Sequence, residues 1–184
     1  MSILQQPLVF VDIETNGLSA TTGRIIEVAA IRVEHGVVTK EYSQLLDPQT
    51  LVPNFITRLT GITQQDVANA PRFAHIAEEL HQVLHGAIFV AHNVRFDYSF
   101  LQHEFGRVGK IFNPQLLCTV RLSRALYPEH RSHKLQNLID RHGFTVTERH
   151  RAYDDAAVLW QFVQHVQHAF APDVLQQALA RQLA

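Results

Sequence analysis

The sequence predicts an α/β domain, with a mixed sheet of three antiparallel strands plus parallel strands, flanked by helices. Three observations predict it. Two early segments, Leu8 to Ile13 and Ile25 to Val33, are apolar on both alternating faces, which requires a sheet covered on both sides. A turn at His35-Gly36 joins the second segment to a third, so the chain opens with three antiparallel strands. Beyond them, apolar strands alternate with amphipathic helices, the order of a layered α/β domain.

The elements follow in chain order. Ile25, Ala29, Ile31 and Val33 occupy one face of the second strand, and Ile26, Val28 and Ala30 the other. The third strand covers Val37 to Leu46, and Pro48 to Pro53 reads as a loop. Two short helices are expected at Phe55 to Leu59 and Gln64 to Ala68, joined by Thr60-Gly61-Ile62-Thr63. A longer helix, Phe73 to His85, aligns Phe73, Ile76, Ala77, Leu80, Val83 and Leu84, and Gly86 ends it. Ala87 to Ala91 is a buried strand, followed by a helix over Arg95 to Phe105 and a short strand over Gln115 to Thr119. Helices at Val120 to Leu126, Lys134 to His142 and Ala152 to Gln167 complete the core. Pro172 opens a last helix, Asp173 to Leu183, with Phe170, Val174, Leu175, Ala178, Leu179 and Leu183 as its apolar stripe. That stripe fits docking on the domain body or a connection to a further domain or partner.

A chain of 184 residues fits one domain, with a core over 8–168 and a terminal helix over 172–183. A hydrophobic share of 46% excludes disorder. The longest apolar run, Ala87 to Ala91, is far short of the roughly 20 residues of a membrane helix. Met1 to Pro7 lacks the pattern of a signal peptide. A single cysteine, Cys118, excludes an internal disulfide and a Cys-rich zinc site. A soluble, cytoplasmic domain without a membrane partner is expected.

Four acids stand out. Asp12 and Glu14 interrupt an apolar strand and, two residues apart, project from the same face. Burial and mutual repulsion oppose that placement. Surface exposure, pairing with an arginine such as Arg24, or a bound cation would each resolve it. Asp97 falls in the first turn of its helix, where the helix dipole favours an acid and Asn93 could cap. Asp155 lies on the apolar stripe of Val158, Leu159, Phe162 and Val166, whereas Asp154 lies to its exposed side. His150 precedes Asp155 by five positions in the entering loop. All five sit at strand ends or helix starts, where α/β sheets place ligand sites. Four carboxylates suit hard divalent cations, Mg²⁺ or Mn²⁺, and two such ions could clamp an in-line displacement at phosphorus.

Three ordered segments carry a resemblance. Phe10-Val11-Asp12-Ile13-Glu14-Thr15-Asn16-Gly17-Leu18, His92-Asn93-Val94-Arg95-Phe96-Asp97 and His150-Arg151-Ala152-Tyr153-Asp154-Asp155-Ala156 resemble the three motifs of the DEDDh 3′–5′ exonucleases. Ile25-Ile26-Glu27-Val28-Ala29 and Thr60-Gly61-Ile62-Thr63 resemble the segments that follow the first motif. The chain is most similar to the epsilon-subunit-like proofreading exonucleases of bacterial DNA polymerase III.

The resemblance implies a ribonuclease-H-like fold and release of nucleoside 5′-monophosphates from a 3′ end. It implies that Asp12, Glu14, Asp97 and Asp155 hold two ions and that His150 is the general base, a role an imidazole can fill near neutrality. It further implies that Thr15 and Leu18 line the pocket of the terminal nucleotide, with Leu18 wedged against its base. His92, Asn93 and Phe96 would face the strand end, although Phe96 is equally readable as core. Thr60, Gly61 and Ile62 would form another wall, with Leu59 as packing. Related sequences often carry an acid where this chain has Cys118, which reads as a buried small hydrophobe. The implied partners are single-stranded or frayed 3′ ends of DNA, and possible contacts include a polymerase or repair domain. RNA trimming and a non-catalytic nucleic-acid-binding role are the competing readings.

Sixteen basic and seventeen acidic residues give a formal charge of −1, which by itself does not announce a nucleic-acid partner. The total conceals opposed halves: residues 1–94 hold five basic and nine acidic residues, and residues 95–184 hold eleven and eight. Arg121 to Arg151 alone holds seven basic and three acidic residues, a stretch suited to phosphates.

Overall fold

The first strand of the chain is the central strand of a five-stranded sheet. The structure is a computed structural model describing residues 5–183; Met1 to Leu4, the start of the segment read for a signal peptide, lie outside the described residues. The strands are β1 (Leu8–Thr15), β2 (Ile25–Glu34), β3 (Val37–Leu45), β4 (Ile88–Ala91) and β5 (Leu116–Cys118). The helices are α1 (Asn54–Thr60), α2 (Gln64–Val67), α3 (Phe73–Leu84), α4 (Arg95–Arg107), α5 (Thr119–Leu126), α6 (Leu135–His142), α7 (Ala152–Ala169) and α8 (Pro172–Leu183).

The sheet order is β3-β2-β1-β4-β5. β1 pairs antiparallel with β2, and β2 with β3, while β4 runs parallel to both β1 and β5. His35 and Gly36 both take positive φ, at 51° and 77°, the conformation of a two-residue hairpin whose twist matches its strands.

Alternation along β1 sends side chains into two cores. Val9, Val11 and Ile13 pack with Val28, Ala30, Leu80 of α3 and Phe100 of α4. Leu8 and Phe10 pack with Ala29, Ile31 and the Leu159, Phe162 and Val166 stripe of α7. Both faces of β1 and β2 are thus covered, as their apolar alternation requires. A third, smaller cluster joins Ile26 to Val52, Ile56, Ile62 and Val67, and so fixes α1 and α2 beside the sheet.

Helix α8 docks on the α7 core through Leu175, Ala178 and Leu179. The Gln182 side chain accepts a hydrogen bond from the Cys118 backbone N–H at 3.3 Å. Val174, placed on the apolar stripe by sequence, instead points outward with 45% of its surface exposed. Cys118 itself is buried. Among the described residues, no helix is long and apolar enough to cross a membrane.

Candidate active site

Leu8, Phe10, Asp12 and Glu14 share the face of β1 that lies under α7. The first two are core residues, and Phe10 meets Trp160 of α7 with ring centroids 5.3 Å apart. The last two continue the same face past the end of the apolar packing. Asp155 stands on the buried stripe of α7, at its N-terminal end, and comes down on this pair. Glu14, His150 and Asp155 each offer a ligand atom within 4.8 Å of the others. Asp97 arrives from a third element. Because β4 runs parallel to β1, with Val90 beside Phe10, helix α4 starts at the same end of the sheet and turns the buried Asp97 inward.

The electrostatics follow from crowding acids in a half-dry cleft. Burial pushes the Asp12 carboxyl well above the usual range, and Asp97, Asp155 and Glu14 push in the same direction. Glu14 is pushed up to about 8, by burial first and then by Asp155 and Glu27. Burial raises Asp97 to about 8 against backbone hydrogen bonds at Asp97 and Ile13. Burial also raises Asp155, opposed by the Arg149 guanidinium, which pairs with its carboxylate. The Arg149 Nε additionally donates to Gln136 Oε1 at 3.2 Å. Four oxygen-donor side chains that resist ionisation together are a donor set that hard divalent cations fit, since bound positive charge offsets the repulsion.

Glu27 fixes the entry to α7. It is directly opposite Glu14 in the β1–β2 pairing and only 2% exposed. Its carboxylate accepts from Arg151 Nη2 at 2.6 Å and from the Ala152 backbone N–H at 2.9 Å. One buried acid thus neutralises an arginine and satisfies an open N–H at a helix start. His150, the preceding residue, takes a positive φ of 62°. Arg24 does not serve Asp12 or Glu14: its guanidinium lies 2.6 Å from the buried Glu104 of α4, which also pairs with Arg107 at 3.1 Å.

The remaining sequence candidates scatter more. Thr15 is buried, and its hydroxyl donates to the Gly17 carbonyl at 2.7 Å. Leu18 is 83% exposed on the loop after β1. Thr60 and Ile62 are buried, Thr60 bonded within its own turn and Ile62 in the small third cluster. Only Gly61 of that segment is exposed, at φ 76°, and Leu59, read as packing, is 53% exposed. The side chains of Thr60 and Ile62 therefore do not form the expected wall. The cause is local: Ile56 and Ile62 supply the apolar surface that covers Ile26.

His92 is half-buried, its Nδ1 is 2.9 Å from Thr119 Oγ1, and burial pushes its pKa down to about 4. Asn93 is exposed at φ 67° and caps α4 through its backbone carbonyl, which accepts from Phe96 N at 2.9 Å; its side chain makes no cap. Phe96 is half-buried, 5.0 Å from the Phe100 ring, and so packs on the core. Sequence reasoning missed Glu27 and Arg149 as members of the site. A charged residue inside an apolar strand was the available signal for Glu27, and a loop arginine offered none. A cavity of about 540 Å³ lies at the opposite end of the sheet beside Ile111 and Pro114 and holds none of these acids.

A family model described as an exonuclease matches residues 9–162. The chain belongs to this exonuclease family. The match bears out the resemblance to the DEDD exonucleases carried by the three motifs. The domain is 39% identical over 156 residues to the 3′-5′ exonuclease DinG of Bacillus subtilis, covering 84% of this chain and 17% of that protein. It is 34% identical over 168 residues to the PolC-type DNA polymerase III of Halalkalibacterium halodurans, covering 88% of this chain and 12% of the polymerase. The chain thus spans less than a fifth of these relatives. Its fold matches that of E. coli Exonuclease I in complex with a dA16 oligonucleotide, with a TM-score of 0.79 at 22% identity. That match covers 93% of this chain and 42% of Exonuclease I.

Proposed function

We propose that this exonuclease domain is a metal-dependent hydrolase that removes nucleotides from the 3′ end of DNA and releases nucleoside 5′-monophosphates. The observation that carries the reading is the convergence of Asp12, Glu14, Asp97 and Asp155 with His150 at one end of the sheet. Asp12, Glu14, Asp97 and Asp155 are the residues suited to hold two divalent ions, Mg²⁺ or Mn²⁺. Such ions supply Lewis acidity and charge neutralisation to a phosphodiester. His150 accepts a proton from the attacking water, close enough to Glu14 and Asp155 for its orientation to be set by them. Glu27 and Arg151 act through His150, as positioning residues. Leu18, exposed on the loop after β1, wedges against the terminal base without reading it. The likeness to Exonuclease I with dA16 supports a single-stranded DNA end as substrate, and the kinship with DinG and PolC supports a cytoplasmic repair or proofreading setting.

The test is a panel of matched DNA and RNA oligonucleotides with free 3′ hydroxyls, incubated with Mg²⁺ or Mn²⁺, with products resolved by mass. Deoxynucleoside 5′-monophosphates released in order from the 3′ end are expected. No cleavage with any divalent cation refutes the proposal, and faster cleavage of RNA replaces its substrate.

A further inference from the structure

A groove of about 380 Å³ opens beside His92 and Asn93, between α5 and the loop that leads to α6. Arg124, Arg131 and Lys134 line it, and all three are exposed. None has an acidic partner among the described residues. Arginines elsewhere are often committed: Arg24, Arg32, Arg149 and Arg151 each hold a carboxylate. The nearby acid, Glu129, is paired with His130 at 3.3 Å and does not line the groove.

Arg124 stands on α5, and the loop bearing Arg131 and Lys134 is anchored. Ser123 Oγ lies 2.8 Å from His133 Nδ1, and His133 Nε2 lies 3.0 Å from the His130 carbonyl. The Arg141 guanidinium donates to the Ser132 carbonyl at 2.9 Å. With the backbone already pinned, three uncommitted positive charges need only their side chains ordered on meeting a ligand. The groove also has a direction. His92 and Asn93, which line it, directly follow β4 and so lie at the same end of the sheet as the carboxylates at the end of β1. A strand ending at the carboxylates can continue past His92 into the groove.

We infer that Arg124, Arg131 and Lys134 form a backbone track for the phosphates upstream of the scissile bond, so that the domain prefers polynucleotides over mononucleotide esters. This rests on the proposed hydrolysis at the carboxylate cluster, but it is separable from it by experiment. Phosphate contacts carry no sequence information, in keeping with an enzyme that must degrade any strand.

The test uses the Arg124→Ala/Arg131→Ala/Lys134→Ala variant and fluorescence anisotropy of labelled dA16 in EDTA across a salt series. Each lost phosphate contact reduces the log affinity against log salt slope by about 0.7 for single strands, so a reduction of about 2 is expected. At low salt the affinity falls about tenfold. In steady state with Mg²⁺, KM for dA16 rises while kcat holds, and hydrolysis of the p-nitrophenyl ester of thymidine 5′-monophosphate is unchanged. An Arg124→Lys/Arg131→Lys variant keeps the charges and retains the wild-type salt slope. Equal dA16 affinity and equal slope in the triple variant and wild type overturn the track. Loss of dA16 binding in the triple variant, with no hydrolysis by wild type, upholds the track and overturns the proposed activity instead.

Discussion

Replacing Glu27 tests the link between the β-sheet and the chemistry. Glu27→Ala removes a 2% exposed carboxylate that holds both the Arg151 guanidinium and the Ala152 N–H. The orphaned N–H lies in the buried first turn of α7 and costs about 1–3 kcal/mol. The Arg151 side chain is 32% exposed and can rehydrate, so losing its pairing adds only about 1 kcal/mol. Relief of the repulsion with Glu14 gives part of this back. A net loss of about 1–3 kcal/mol corresponds to a melting temperature lower by roughly 2–12 °C for a domain of this size. His150 and Asp155 flank the released turn, so kcat falls about 10–100-fold on a 3′-hydroxyl oligonucleotide. Glu27→Gln keeps an oxygen for the Ala152 N–H but loses the charge pairing, and falls between wild type and Glu27→Ala. Differential scanning calorimetry and steady-state hydrolysis, run on the same preparations, measure both effects. A Glu27→Ala protein with wild-type melting temperature and kcat refutes the positioning argument outright.

Asp12→Asn abolishes Mg²⁺-dependent turnover yet raises the melting temperature of EDTA-treated protein, because it removes a carboxyl whose ionisation is opposed by burial and by three neighbouring acids; scanning fluorimetry alongside hydrolysis checks both. In metal-free protein, Glu14 and Asp97, both pushed up to about 8, keep protons that the unfolded chain has released, so stability falls as pH rises from about 6.5 to 8. Below that window His92 and His142, both pushed down to about 4, titrate with the opposite sign, so urea titrations in EDTA belong above pH 6.5, where a flat profile contradicts the assignment. Leu18→Ala leaves the melting temperature unchanged, because the side chain is 83% exposed, and raises KM for a single-stranded oligonucleotide with little change in kcat.

Three of the four carboxylates were legible because they broke a periodic pattern, whereas Asp97, at a helix start where an acid is ordinary, was marked only by the motif that carries it. Asp12 and Glu14 stood in an alternating strand, and Asp155 on a helical stripe whose other members are buried. The same stripe separated Asp155 from Asp154, whose carboxylate instead accepts from the Thr147 N–H on the exposed side. Short elements carried no such pattern. Helix α1 has only seven residues and Ile62 follows it in the connection to α2, so the local sequence could not say whether Leu59 or Ile62 would face the interior. The cap of α4 was misread because Asn93 serves through its carbonyl in a left-handed conformation, not through its side chain. Pairings across long separations were equally hidden: Glu27 meets a residue 124 positions away, and Arg24 one 80 positions away. Such contacts depend on tertiary geometry, for which local spacing holds no record.

The β1–β2 pairing shifts register between Glu14 and Thr15. Up to that step, side-chain parity is strict, and one residue inserted or deleted within β1 would exchange Asp12 and Glu14 for the apolar Val11 and Ile13 on the α7 face. Beyond it, parity no longer propagates into the loop that leads to β2. The strand is therefore intolerant of length change even where it tolerates substitution. A change of length in the following loop would leave the facing of the carboxylates intact.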